Sequence, residues 1–198
     1  MYKLLRVKDV VRIPPDKFGA PLKETATQIL QSKYEGTLSK DYGVILAVFD
    51  VDVSPIGKIL HGDGASYHDV EFSMLTYVPV IQEVVEGEVV EVVDFGAFVR
   101  LGPLDGLIHV SQISDERMNY DDKRGALIGE KTHRVLQEGD IVRSRVVSVS
   151  LTSGGARSSK IGLTMRQPFL GKLEWIEEDL KKLKGEVKPP AKSPGKQR

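Results

Sequence analysis

The stretch from Val84 to Gln112, VVEGEVVEVVDFGAFVRLGPLDGLIHVSQ, limits the fold of this chain more than any other segment. Val89, Val90, Val92 and Val93 form a β-branched run that Asp94 interrupts, and Gly96 follows where a bulge or tight bend is expected. Phe98 and Leu101 continue a second strand. Gly102-Pro103 and Asp105-Gly106 then supply a turn, and Gly106 to Val110 reads as a third short apolar strand. Three strands joined by turns this tight predict a small barrel.

Phe95 and Phe98 flank the glycine and alanine of the sequence DFGAF, and His109 lies one strand further on. Exposed rings on a barrel face can stack unpaired bases, each worth about 1–3 kcal/mol. Phenylalanines in an apolar β run serve equally well as core, and periodicity does not separate the two readings.

Three segments together, Gly87-Glu88-Val89, Asp94 to Val99 and Gly106 to Ser111, resemble the opening of an S1 domain, a five-stranded RNA-binding OB barrel. Gly139 to Val149 resembles its fourth strand and Lys160 to Met165 its fifth, so the likeness spans about residues 82–166. In that family the RNA face carries two strand aromatics, a histidine, and an acid and a base on later strands. The resemblance maps the first three onto Phe95, Phe98 and His109. The last two fall near Ser150 and Lys160, so the acid is missing and lysine replaces the usual arginine. Lysine keeps the charge but lacks the planar stacking fork, which implies weak, sequence-tolerant contact. Arg143 and Arg145 alternate along the fourth strand and extend the basic set, with Arg157 and Arg166 following.

The 28 basic and 28 acidic residues cancel, so affinity for nucleic acid has to come from local patches. No cysteine is present, which excludes disulfides and thiolate metal sites and fits a cytoplasmic location. The first residues, MYKLLRVKDVVRIPPDKFG, do not read as a signal peptide, and no segment reads as a membrane span. No cofactor, metal site or catalytic residue is expected.

Residues 1–80 read as a separate unit. Tyr2 to Ile13 is strand-like and ends at Pro14-Pro15. Pro21 then sits at a helix start, with Leu22, Ala26, Ile29 and Leu30 on one face. Gly43 to Val53 is the most apolar strand here, followed by turn residues Ser54-Pro55, and Tyr67 to Val78 forms another strand. Between them the segment Gly57, Lys58, Ile59, Leu60, His61, Gly62, Asp63 and Gly64 reads as a loop with an apolar pair at its tip. Ile59 and Leu60 either form a docking surface or fold back into the local core. His61 and Asp63 satisfy turn hydrogen bonds in this reading, because no nucleophile or third ligand accompanies them.

A small α/β unit followed by an S1 barrel, with GKILHGDGASYHDVEF and IGLTMRQPFLGKLEWI, is similar to the E-prime stalk component of archaeal RNA polymerase over residues 1 to about 178. The resemblance implies an α+β fold: a ribonucleoprotein-like tip domain of sheet plus helix at 1–80, then an all-β S1-type OB barrel at 81–184. It also implies a non-catalytic subunit that pairs with F, the smaller stalk component, and docks by its tip loop, Gly57 to Gly64, to the polymerase core near the clamp. Such a protein assists promoter opening and meets nascent single-stranded RNA. The alternatives are a free-standing or exosome-cap-like S1 protein, and a ribonuclease, for which Asp63, Asp69 and Glu71 form the nearest acid cluster.

Ser114 to Arg134 interrupts the minimal barrel, and its mixed charge predicts an exposed loop or short helix in which Arg117, Tyr120, Lys123 and Arg124 extend an RNA path. Leu151 to Ser159 reads as a flexible hairpin loop. Leu173, Ile176, Leu180 and Leu183 recur at helical spacing, predicting a helix packed on the barrel, and the tail at 185–198 is expected to be disordered.

Overall fold

The computed structural model describes residues 1–39, 41–151 and 160–183; the loop expected at 152–159 with Arg157, and the tail at 185–198, lie outside them. Contacts divide the chain into two compact units. The first is Met1–Glu83 with Gly102–Asp105 and the described part of 146–161; the second is Val84–Leu101, Gly106–Arg145 and the described residues after Gly162.

The amino-terminal elements are strand β1 (Tyr2–Ile13), helix α1 (Leu22–Tyr34), the short β2 (Leu38–Ser39), β3 (Gly43–Ile59) and β4 (Ser66–Tyr77). They make one antiparallel sheet in the order β1-β4-β3-β2. Helix α1 lies on it with the expected face inward. Ala26 and Leu30 are fully buried among Val11, Ile45, Val48, Phe72 and Met74, with Leu22 and Ile29 partly buried at the margin. Lys33 Nζ and the Tyr34 hydroxyl donate to Asp9 Oδ2 at 2.7 and 2.6 Å, tying the helix end to β1. Burial alone would raise the Asp9 carboxyl, but these bonds outweigh it and hold the group below its ordinary value.

Ser54-Pro55 does not end the strand as expected. The pairing of β3 with β4 shifts register between Val53 and Gly57, and the strand resumes to Ile59. Proline lacks the N–H a ladder needs, and the irregularity accommodates that loss without breaking the hairpin. The buried His68 ring fills the space left by Gly57, where a Cβ would stand 2.5 Å from Nε2. His68 Nδ1 lies 2.8 Å from the Ser54 carbonyl and Nε2 3.1 Å from Ser66 Oγ. A carbonyl only accepts, so Nδ1 donates to Ser54.

The barrel uses β5 (Val84–Val93), β6 (Gly96–Arg100), β7 (Asp105–His109), β11 (Ile141–Ser150) and β12 (Lys160–Thr164). The sheet order β12-β7-β6-β5-β11 closes through a further β12–β11 pairing, and β12 runs parallel to β7. Val89, Ala97, Val99, Ile108, Val142 and Leu163 are buried. The architecture is thus α+β, a sheet-plus-helix unit and an OB-type barrel.

Two expectations are corrected. The segment from Ser114 to Arg134 is neither loop nor helix: Met118–Asp121 (β8), Ala126–Gly129 (β9) and Val135–Gln137 (β10) form a three-stranded antiparallel sheet. Met118, Ala126, Leu127 and Leu136 are buried there, while the charged residues Asp122 to Arg124 occupy the β8–β9 turn. The carboxy-terminal helix α2 (Leu173–Leu183) follows the two-residue β13 (Gly171–Lys172) and buries Trp175 and Ile176, but leaves Leu180 and Leu183 exposed. Its start is pinned by Lys172 Nζ, 2.9 Å from both Asp140 Oδ1 and Glu174 Oε2.

Leu30→Ala should cost about 2–5 kcal/mol in urea unfolding, because it empties a closed site. Ile29→Ala, at the margin of the same face, should cost clearly less.

Candidate nucleic-acid interface

The turn between β5 and β6 and the end of β7 meet at Gly96. A Cβ there would lie 2.2 Å from the Ile108 carbonyl oxygen and 3.1 Å from His109 Cα, so only glycine lets the two strands approach this closely. The Val110 amide donates to the Phe95 carbonyl at 2.8 Å and locks the approach. Alternation along β6 turns Ala97 and Val99 inward and leaves Phe98 half-buried on the outer side. Phe95 is 47% exposed, and its ring meets Phe98 edge-on, with centroids 6.2 Å apart and planes at 88°. Neither ring is buried core. His109, exposed beside them, is oriented by Ser111, whose amide donates to Nδ1 at 3.2 Å and whose Oγ lies 2.8 Å away. Phe95, Phe98 and His109, the trio expected from the sequence, therefore come together on one surface.

Arg143, Arg145 and Lys160 do not join it as expected. Arg143 Nε donates to Glu86 Oε1 at 2.8 Å across the β5–β11 pairing, and Arg145 is also partnered. Lys160 is exposed at the start of β12, whose parallel register sets Gly162 beside Leu107. Lys160 thus stands level with Asp105, at the opposite end of β7 from His109. Alternation in sequence places side chains on one face but does not report what neutralises them.

The region beside the trio holds residues given less weight by the sequence. A cleft of about 500 Å³ is lined by Asp94, Val110 and Ser111, by residues 114–120, and by Arg166. Arg166 Nε donates to Asp115 Oδ1 at 3.0 Å. Glu116 accepts from the Lys131 and Thr132 amides at 2.7 and 3.0 Å and from the Thr132 hydroxyl. The bond from Thr132 holds the Glu116 carboxyl below its ordinary value. In the sequence Asp94 and Ser111 figure only as parts of the barrel pattern, and Asn119, a lone polar residue in a charged segment, gives no signal.

At the other candidate site, Gly57 to Ile59 belong to β3, and the turn spans only the residues up to Ala65. Ile59 and Leu60 do not fold back: they are 72% and 53% exposed, and Ile56, which carries no distinctive sequence signal, is 80% exposed. The turn itself is fixed by Asp63. Arg12 Nε and Nη2 each donate to its carboxylate at 2.8 Å, the Tyr67 hydroxyl donates at 2.6 Å and the Ala65 amide at 3.2 Å. Asp63 is thereby committed to structure, and Glu71 pairs with Lys8 and Arg6. Among the described residues, no group of three or more histidine or acidic side chains is placed to hold a metal ion. No helix of the described residues is long and apolar enough to cross a membrane.

Known proteins share both units. Residues 8–64 match the family described as the SHS2 domain found in the N terminus of Rpb7p/Rpc25p/MJ0397, and residues 79–160 match the S1 RNA binding domain. DNA-directed RNA polymerase subunit Rpo7 of Saccharolobus shibatae is 54% identical over 178 residues, covering 90% of this chain and 98% of the relative. The chain belongs to the Rpo7 family of DNA-directed RNA polymerase subunits. Rpo7 of Saccharolobus solfataricus is likewise 54% identical over 181 residues, 91% of this chain and all of that one. Beyond Rpo7, the small ribosomal subunit protein bS1 homolog of Bacillus cereus is 37% identical over 99 residues, half of this chain and 22% of that one. The Rpo7 assignment agrees with the family read from the residues.

The turn chemistry carries a pH signature. The hydrogen bond from Arg12 holds the Asp63 carboxyl well below the usual carboxylate range. A depressed folded-state value means stability that is fully present above the unfolded carboxyl value, near pH 4, and that is lost as pH falls through the folded one. Asp63→Asn should therefore lower the thermal midpoint at neutral pH, and the gap to the native chain should shrink as the solution is acidified below about pH 4.

Proposed function

We propose that this Rpo7-family chain is a non-catalytic stalk component of a cytoplasmic RNA polymerase, docking at one site and holding transcript at the other. The observation that carries the docking half is the exposure of Ile56, Ile59 and Leu60 at the end of an otherwise well-packed hairpin. Each such side chain gains about 1.5–3 kcal/mol on burial before association costs. Gly57 to Gly64 is the docking segment in this reading, and the polymerase core near the clamp is its partner. Seated there, the tip biases the clamp toward closure and assists promoter opening.

Residues 1–80 act as the tip domain and 81–184 as the RNA-binding domain. The smaller stalk component, F, completes a heterodimer, and Val80 and Ile81, both exposed, are apolar residues that such a partner would cover. Phe95, Phe98 and His109 take nascent single-stranded RNA by stacking, which suits a polymerase component because every base presents a π-face. With Arg143 and Arg145 partnered, the contact is weak and sequence-tolerant.

The test is reconstitution. Polymerase core lacking its stalk, mixed with this chain and the smaller stalk component, should co-migrate with both on size exclusion. Ile59→Asp with Leu60→Asp should weaken incorporation about a hundredfold while leaving the thermal midpoint of the chain near its native value. Unchanged co-migration of the double variant would remove the tip from the interface, and no association of the native chain would remove the polymerase reading.

A further inference from the structure

The cleft beside the aromatic trio is lined in part by β8, which belongs to a sheet that a minimal five-stranded barrel does not have, and by the segment leading into it. It begins where the trio ends: Asp94 precedes Phe95, and Ser111 is hydrogen-bonded to His109. Its volume of about 500 Å³ lies within the range of small-ligand clefts. Three of its charged groups are spent on structure. Arg166 is paired with Asp115, and Glu116 is saturated by Lys131 and Thr132. By contrast, Asp94, Arg117, Asn119 and Tyr120 make no side-chain hydrogen bond or ion pair with any described residue. Tyr120 contributes a half-buried ring, and Asn119 an exposed amide.

The charge of the cleft bears on what it can hold. Three acids, Asp94, Asp115 and Glu116, face two bases, Arg117 and Arg166, one of which is already neutralised. A backbone phosphate seeks net positive surroundings, whereas a base needs a ring and polar groups at its edge. The cleft offers the second set.

We propose that this cleft is a second base seat. It takes the unpaired nucleotide next to the one stacked on Phe98, with Tyr120 supplying the stacking ring and Asp94 the polar edge. The proposal rests on the RNA-contact reading above and extends it to the inserted sheet, so that the barrel grips two successive bases rather than one. The seat is base-tolerant, because stacking dominates it.

The experiment is fluorescence anisotropy of the full chain with unstructured labelled oligouridine, long (about ten nucleotides) or short (about two). Tyr120→Leu keeps the apolar bulk and removes the ring. It should weaken both oligomers about fivefold, since even the short one spans the Phe98 site and its neighbour, and leave the slope of log affinity against log salt unaltered. Phe98→Leu should weaken both. Near-native thermal midpoints will show that the variants fold.

Native-like binding of the long oligomer by Tyr120→Leu would overturn the second seat while leaving RNA contact at Phe98 intact. So would a reduced salt slope, which would make the cleft a phosphate site. Failure of the native chain to bind either oligomer would overturn the seat together with the RNA-contact reading beneath it.

Discussion

A length mismatch in the amino-terminal unit governs much of what the chain can do. A thirteen-residue helix such as α1 reaches about 20 Å, whereas a seventeen-residue strand such as β3 reaches about 55 Å. The helix can cover only part of the β3–β4 hairpin, and burial follows that limit. Ile45, Val48 and Val51 near the start of β3 are closed under α1, while Ile56 and Ile59 near its end are open to water. The register shift at Ser54-Pro55 carries the strand past the helix without ending it, and the Asp63–Arg12 pairing holds the far turn rigid. An apolar end kept ordered but uncovered is suited to a partner.

The barrel depends on a local constraint of the same kind. At Gly96 the backbone of β6 comes so near β7 that no side chain fits, and this approach sets Phe95, Phe98 and His109 on one surface. The inserted sheet then raises a wall beside that surface. Asp115 and Glu116, in the segment that leads into it, are held by hydrogen bonds, while Tyr120 of β8 lines the cleft without one. The proposed RNA contact relies on shape and rings, which agrees with a chain whose charges cancel.

Much of this was legible in the sequence because it rests on periodicity. The face of α1 and the strands of the hairpin and the barrel follow from spacing and turn residues, whereas the trio of Phe95, Phe98 and His109 comes from the resemblance to an S1 domain. Non-local terms were not legible. Ser54-Pro55 carries the signature of a strand end, and only pairing with β4 shows that the strand resumes. The strands of the insertion are three or four residues long, too short for alternation to register against the charged turn between them. Arg143 and Lys160 looked like members of one basic track, but cross-strand pairing with Glu86 and the parallel register of β12 are properties of the assembled sheet. The Asp94–Tyr120 cleft combines segments from distant parts of the chain, none distinctive alone.

The central claim is that the open end of the β3–β4 hairpin is the face that meets the polymerase. Amide hydrogen exchange of this chain, alone and after incorporation into polymerase, reads that face directly. The account predicts that amides from Ile56 to Gly64 gain protection in the assembly, while those of β3 under α1 are unchanged. Equal exchange at Ile56 to Gly64 in the two states, with the chain demonstrably incorporated, would contradict it.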